Sequence, residues 1–212
     1  MKITKFEHSC LLVEDNGKVV LVDPGSFAWD SGQIKLDTWP KVDEIAVTHE
    51  HGDHFHPPFI EALHKAFPDA VWVTNGSVAA MLKGMGIAKV TTTDTDLIKI
   101  IPVKHETLPP GMGEPPANIQ VDVFGRLTHP GDSHSLTSTK EILCMPFISP
   151  WGSMTHGTEV ALQLKPKQVI PIHDALWQPG VRAYFYGMLK DEAFAPQGIE
   201  LVIPTEGKSF EV

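Results

Sequence analysis

The chain is short of cysteine, of positive charge and of long apolar runs. Its 212 residues include only Cys10 and Cys144. A disulfide framework is not indicated, and a reducing cytoplasm is the expected location. Both cysteines lie in apolar, strand-like stretches and read as small buried hydrophobes rather than reactive thiols. Lys and Arg number 17 against 26 Asp and Glu, for a formal net charge of −9. With no long basic run to offset this, a nucleic-acid backbone is repelled overall, so no nucleic-acid partner is expected. No apolar stretch approaches a membrane-spanning length, so no membrane partner is expected either. The opening Met1-Lys2-Ile3-Thr4-Lys5 lacks the apolar core of a signal peptide. The apolar and charged shares, 42% and 20%, are ordinary for a globular protein. The length suits one domain over residues 1–212, with a substantial core.

What is present is a strand-rich pattern with helices inserted. Lys2–Phe6, Cys10–Glu14 and Lys18–Asp23 read as short strands, the last two joined by the hairpin signal Asn16-Gly17. Asp23-Pro24-Gly25 stops the third strand. Glu44–Thr48 is a short buried strand. Pro57-Pro58 opens a helix running to about Phe67, followed by a strand at Ala70–Thr74 and a helix at Val78–Lys83. Strand patterns recur near Lys89–Thr92, Leu97–Val103, Ile119–Phe124, Ile142–Phe147, Gln168–Ile172 and Leu201–Ile203. Thr155–Leu164 and Val181–Leu189 read as helices, and Thr107–Asn118, rich in Pro and Gly, as a loop. Such an order favours a layered α/β or α+β fold over a bundle or a pure β-sandwich.

Histidine is abundant, at eleven. The run Thr48-His49-Glu50-His51-Gly52-Asp53-His54 packs three histidines and an aspartate into six residues, directly after a buried strand. In a loop leaving a strand end, His49 and His51 can converge on one ion while Asp53 and His54 turn toward a second. A polar surface loop with idle histidines is the alternative, and so dense a cluster argues against it. Two ions need further ligands. His105, Asp132 and His173 each stand at a strand end beside turn signals, where functional loops gather. Each alone would read as a satisfied polar residue; as a set they complete a site. Imidazole and carboxylate donors suit Zn²⁺ first, with Mn²⁺ or Fe as alternatives.

These residues resemble the metallo-β-lactamase fold superfamily, and within it the branch of ascorbate-6-phosphate lactonase and related metal-dependent hydrolases. The resemblance runs through Phe6-Glu7-His8-Ser9-Cys10, Val22-Asp23-Pro24, the metal loop, Gly131-Asp132-Ser133 and Lys165–His173. It implies an α/β, four-layer αβ/βα sandwich with the site at one sheet edge. It implies His49, His51 and His105 on a first metal, and Asp53, His54 and His173 on a second. Asp132 would bridge the two, Asp23 would orient a ligand histidine, and His8 would lie near the site. Two departures stand out: Glu7 replaces the more usual glycine, and Asp174, rather than an aromatic, follows the last histidine.

The implied chemistry is hydrolysis of a small anionic metabolite, a lactone or alternatively a phosphodiester, by a hydroxide shared between two divalent cations. Asp53, Asp132 and His8 are the expected catalytic residues. The proton donor is open among metal-bound water, His8, His129 and His134. His129 and His134 flank Asp132 and could also touch substrate. His56, His64 and His156 read as solvated or capping groups. Trp29, Trp39, Trp151 and Trp177 read mainly as packing, with Trp151 the best placed to line a pocket. Di-iron oxidoreductases of the same fold carry Glu where this chain has His51, and usually a flavin domain. A non-catalytic binding domain would be expected to lose ligands, and here all seven positions are filled. A small-molecule substrate is the expected partner, and a homo-oligomer is common among similar proteins.

Overall fold

A computed structural model describes all residues, 1–212. Seven strands form the first sheet: β1 (Lys2–Lys5), β2 (Leu11–Asp15), β3 (Lys18–Val22), β4 (Glu44–Val47), β5 (Val71–Thr74), β6 (Val90–Thr91) and β13 (Ser209–Glu211), in the order β13-β1-β2-β3-β4-β5-β6. The second sheet holds β7 (Ile98–Lys104), β8 (Ala117–Val123), β9 (Leu127–His129), β10 (Ile142–Pro146), β11 (Gln168–Ile172) and β12 (Glu200–Leu201), in the order β12-β11-β10-β9-β8-β7. Each sheet has an antiparallel half and a parallel half. In the first, β3, β4, β5 and β6 run parallel; in the second, β9, β10, β11 and β12 do.

Side-chain alternation explains the layering. Along a strand, successive residues face opposite sides. Leu11, Val13, Val20, Val22, Ala46 and Val73 of the first sheet meet Val121, Cys144, Ile170 and Ile172 of the second in a central core. The intervening Leu12, Leu21, Ile45, Val47 and Trp72 face outward. They are covered by α1 (Ser26–Asp30), α2 (Pro57–Ala66) and α3 (Gly76–Gly84) through Ala28, Phe59, Ile60, Leu63, Val78 and Leu82. On the far side, Leu143, Met145 and Val169 are covered by Val160 and Ala161 of α4 (Met154–Leu164), by Tyr186 of α5 (Pro179–Met188) and by Phe194. Three apolar cores between four layers give the αβ/βα sandwich implied above. Strands buried on both faces read as near-continuous apolar runs, as parallel strands do. Both cysteines are free and buried, Cys10 in the outer core and Cys144 in the central one.

Local chemistry sets the element ends. Asn16 and Gly17 take φ of 48° and 74°, the left-handed pair that a tight hairpin requires. Asn75 caps α3 by accepting from the Val78 amide, and Ser153 caps α4 by accepting from the His156 amide. Several elements lie beyond the sequence pattern. α1 has five residues and β9 and β13 three each, too short for periodicity to register. α5 starts at Pro179 and runs on into a wider helical turn, Leu189–Phe194. The Pro/Gly-rich loop ends slightly sooner than expected, because β8 begins at Ala117.

One close approach locks the chain after β3 to the histidine loop. A Cβ on Gly25 would lie 1.7 Å from the Asp53 carbonyl oxygen. This absence of a side chain lets the Ser26 amide donate to Gly52 O at 2.9 Å and the His56 amide to Pro24 O at 3.1 Å. Gly25→Ala is expected to push these backbones apart and cost about 3 kcal/mol, read as a lowered midpoint in urea unfolding.

Candidate metal centre

The parallel halves of both sheets point their carboxyl ends at one edge, the position where open α/β sheets carry ligands. β3 ends into Asp23 and β4 into Thr48-His49. β7 ends into His105, β9 leads to Asp132, and β11 ends into His173. Two groups of donors result: His49, His51, His105 and Asp132, and His8, Asp53, His54 and His173. Within each, one donor atom from every residue lies within 4.8 Å of the others.

Four imidazoles are oriented in the same way. His54 donates Nδ1–H to Asp23 Oδ2 at 2.6 Å. His105 donates Nδ1–H to Glu106 O at 2.7 Å, and His173 to Ile148 O at 2.6 Å. Thr48 Oγ1 donates to Asp23 Oδ2, so it accepts from His49 Nδ1 at 3.1 Å. Each ring thus uses its Nδ1 proton and is left with a lone pair on Nε2. All four Nε2 atoms are buried without a hydrogen-bond partner, as is Asp132 Oδ1. Buried polar atoms are ordinarily satisfied. Five orphans facing one another have the chemistry of a cation site, so the donor set fits two divalent ions.

Asp132 is the shared member. Its Oδ1 lies 3.0 Å from His54 Nε2, and its Oδ2 lies 3.2, 3.5 and 3.7 Å from Nε2 of His173, His105 and His49. It therefore faces donors of both groups. Burial alone would raise its carboxyl, yet the rings of His54, His173 and His49 hold it well below the ordinary carboxylate range. Burial disfavours a charged His173, but Asp132 and Asp53 outweigh it and push its pKa up to about 10. His54 is raised in the same way by Asp132, Asp23 and Asp53 against burial. The field that would hold protons on these rings is the field that would hold metal ions instead.

Asp23 anchors the arrangement from behind. It is fully buried, with φ of 48°. Beyond His54 and the Thr48 hydroxyl, it accepts the Thr48 amide at 2.8 Å. His8 and His173 also take left-handed backbone angles, 65° and 57°. Strain of this kind, on the order of 1 kcal/mol per residue, persists only where surrounding contacts over-determine it. Here the His173 amide donates to His8 O at 3.2 Å, joining the two sheets across the site.

His8 is wired differently from the others. Its Nδ1 accepts the Ala175 amide at 3.3 Å, so Nε2–H donates to Asp53 Oδ2 at 3.1 Å. Burial lowers its pKa to about 4. His51 is half-buried and makes no side-chain hydrogen bond, its ring beside those of His49 and His105. His129 is fully buried and uses both nitrogens, donating to Ser9 O and accepting the Gly131 amide. It is therefore a packing residue, with no free nitrogen for substrate or proton transfer. Trp151 stands over the centre, its ring 5.8 Å from that of His105 and 5.2 Å from that of His173. Trp29 and Trp39 pack on the outer core beside Phe59.

Sequence reasoning missed the support behind His173. Asp174 accepts from the buried Lys5 ammonium at 2.9 Å and from the Tyr186 hydroxyl at 3.1 Å, with Arg182 at 3.5 Å. This explains the departure at Asp174: the position carries the counter-charge for a buried lysine. Glu7, the other departure, lies 3.7 Å from Arg182. Burial and the neighbouring Glu206 push its pKa up to about 7. No sequence signal pairs residues so far apart.

Two outcomes are expected. Asp23→Asn puts an amide N–H against the His54 proton and should weaken metal retention about 10–100-fold in chelator competition. Because the folded pKa of Glu7 lies above its ordinary 4.5, its contribution is full below that pH and is lost as pH rises through about 7. Glu7→Gln should therefore stabilise the protein above about pH 7, by on the order of 1 kcal/mol, and leave it unchanged below about pH 4.5, measured by thermal unfolding across pH.

The chain has known relatives in sequence and in fold. A protein of Mycobacterium tuberculosis is 25% identical over 203 residues, covering 90% of this chain and 92% of that one. A Staphylococcus saprophyticus protein named as a metal-dependent hydrolase is 28% identical, covering 82% and 85%. The crystal structure of a candidate metal-dependent hydrolase from Parabacteroides distasonis superposes with a TM-score of 0.69 at 26% identity, covering 96% of this chain and 92% of that one. A family model described as the Beta-lactamase superfamily domain matches residues 2–173, and the chain belongs to that superfamily, with the metallo-β-lactamase fold.

Proposed function

We propose that the protein is a metal-dependent hydrolase that uses two divalent cations, Zn²⁺ foremost, to cleave a small anionic metabolite, with a lactone as the first substrate class. The observation that carries this reading is the set of four buried imidazoles with Nδ1 committed and Nε2 lone pairs unpartnered around Asp132. His49, His51 and His105 would hold one ion and Asp53, His54 and His173 the other, with Asp132 between them. Bound there, such cations lower the pKa of a water toward neutrality and stabilise developing negative charge on a carbonyl or phosphoryl oxygen.

The chain's own residues then have distinct tasks. Asp23, Glu106 O and Ile148 O keep the ligand rings in one tautomer and one orientation. His8 is a positioning residue: its Nε2–H fixes the Asp53 carboxylate. Asp53 and Asp132 are the only carboxylates among the proposed donors, so two dications leave an excess of positive charge. That excess favours an anionic substrate. The half-buried His51 and Asp53 form the solvent-facing side of the centre, and Trp151 forms an aromatic wall against which the uncharged part of a substrate can rest.

The test is hydrolysis by Zn²⁺- and Mn²⁺-loaded protein of a lactone set and a phosphodiester set, with Asp132→Ala as control. Lactone turnover that falls by at least about 100-fold in a folded Asp132→Ala protein is the expected result. Turnover of phosphodiesters alone would move the substrate class. Full activity in Asp132→Ala would sink the two-metal mechanism.

A further inference from the structure

A third group of donors lies behind Trp151, outside the seven residues of the centre. Glu106, His134 and His156 each offer one donor atom, all within 4.8 Å of one another. They come from three separate segments: the residue after His105, the turn following Asp132, and the first turn of α4. The His134 and His156 rings meet edge-on, with centroids 4.8 Å apart.

His134 carries the argument. It is 3% exposed. Its Nε2–H donates to Pro146 O at 2.7 Å, which leaves the lone pair on Nδ1. That Nδ1 is buried and has no hydrogen-bond partner. This is the arrangement of the four ligand imidazoles with the two nitrogens exchanged: one proton fixed on a backbone carbonyl, the other nitrogen bare. The Glu106 carboxylate is held against the same residue, Oε1 accepting the His134 amide at 2.8 Å. Two glycines make room for the ring. A Cβ on Gly152 would lie 3.0 Å from His134 Cε1, and one on Gly157 would lie 3.3 Å from Nε2.

We propose that Glu106, His134 and His156 form a third divalent-cation site, selective for Zn²⁺-like ions. Two imidazoles and a carboxylate are a zinc donor set with one position left open to solvent. In a closed zinc sphere the ligand bonds are about 2.0–2.2 Å long. The exposed His156 ring is the member able to close it. An ion held there ties the segment after β7 to the start of α4. Trp151 lies just before that start, its ring 5.7 Å from that of His134. Occupancy would therefore stiffen the aromatic wall of the main centre. The site stands on its own residues and does not depend on the reaction proposed above.

The test counts zinc bound per chain by elemental analysis, at free Zn²⁺ buffered near micromolar, in wild type, His156→Ala and Glu106→Gln. His156 is exposed, so its replacement leaves the core packing intact, and circular dichroism confirms the fold of each variant. Asp132→Ala serves as the reference for loss at the main centre. The expected result is loss of one zinc equivalent in His156→Ala relative to wild type, with a matching loss in Glu106→Gln. The His156 imidazole ¹⁵N shift should also move on Zn²⁺ addition even in Asp132→Ala. Equal zinc content in wild type and His156→Ala, or an unmoved His156 signal, overturns the third site. An intact His156 difference alongside an Asp132→Ala protein that has lost no zinc would count against the main centre alone.

Discussion

The Asp23 carboxylate is the constraint on which the rest of the centre depends. It is a buried charge, and such a group is tolerated only when hydrogen bonds replace its water. Here they come from the Thr48 amide, the Thr48 hydroxyl and the His54 ring. Through Thr48 the same oxygen sets the proton of His49. One carboxylate at the end of β3 thus fixes the His54 ring directly, the His49 ring through a hydroxyl, and the backbone at the start of the histidine loop. Its left-handed backbone angle is sustained by these bonds and by the glycine that lets the following turn press against Asp53.

The layered fold turns these local ties into a site. Parallel pairing of β3 with β4 places Val22 beside Ala46, which brings the Asp23 carboxylate within reach of the Thr48 amide. Parallel pairing of β10 with β11 places Pro146 beside Ile172, which puts Ile148 O within reach of His173. The central core then stacks the two edges face to face. The apolar alternation of the strands decides which residues meet.

Much of this was legible in the sequence, for identifiable reasons. The histidine loop announced itself by density, and the later candidate donors His105, Asp132 and His173 by their place at strand ends. The longer apolar strands and the helix opened by Pro57-Pro58 also stood out. What stayed hidden depends on contacts between distant residues. Nothing local marks Lys5 as the partner of Asp174, or Glu106 as the neighbour of His134. His129 and His134 are equivalent in sequence, flanking Asp132. Only packing separates them, since one ring is fully satisfied and the other retains a bare nitrogen. The short strands β9 and β13 owe their existence to neighbours already in place rather than to their own pattern.

The bond from the His173 amide to His8 O has a further consequence for how the protein matures. The histidine loop and His173 belong to different sheets and are made far apart in time during synthesis. Until β11 docks and that bond closes, the donor group of His8, Asp53, His54 and His173 lacks its last member. The other group, His49, His51, His105 and Asp132, lies wholly before β11 in the chain. A chain that stalls before β11 therefore carries one donor group in full and the other short of a ring, so the two halves of the centre are completed at different stages of synthesis.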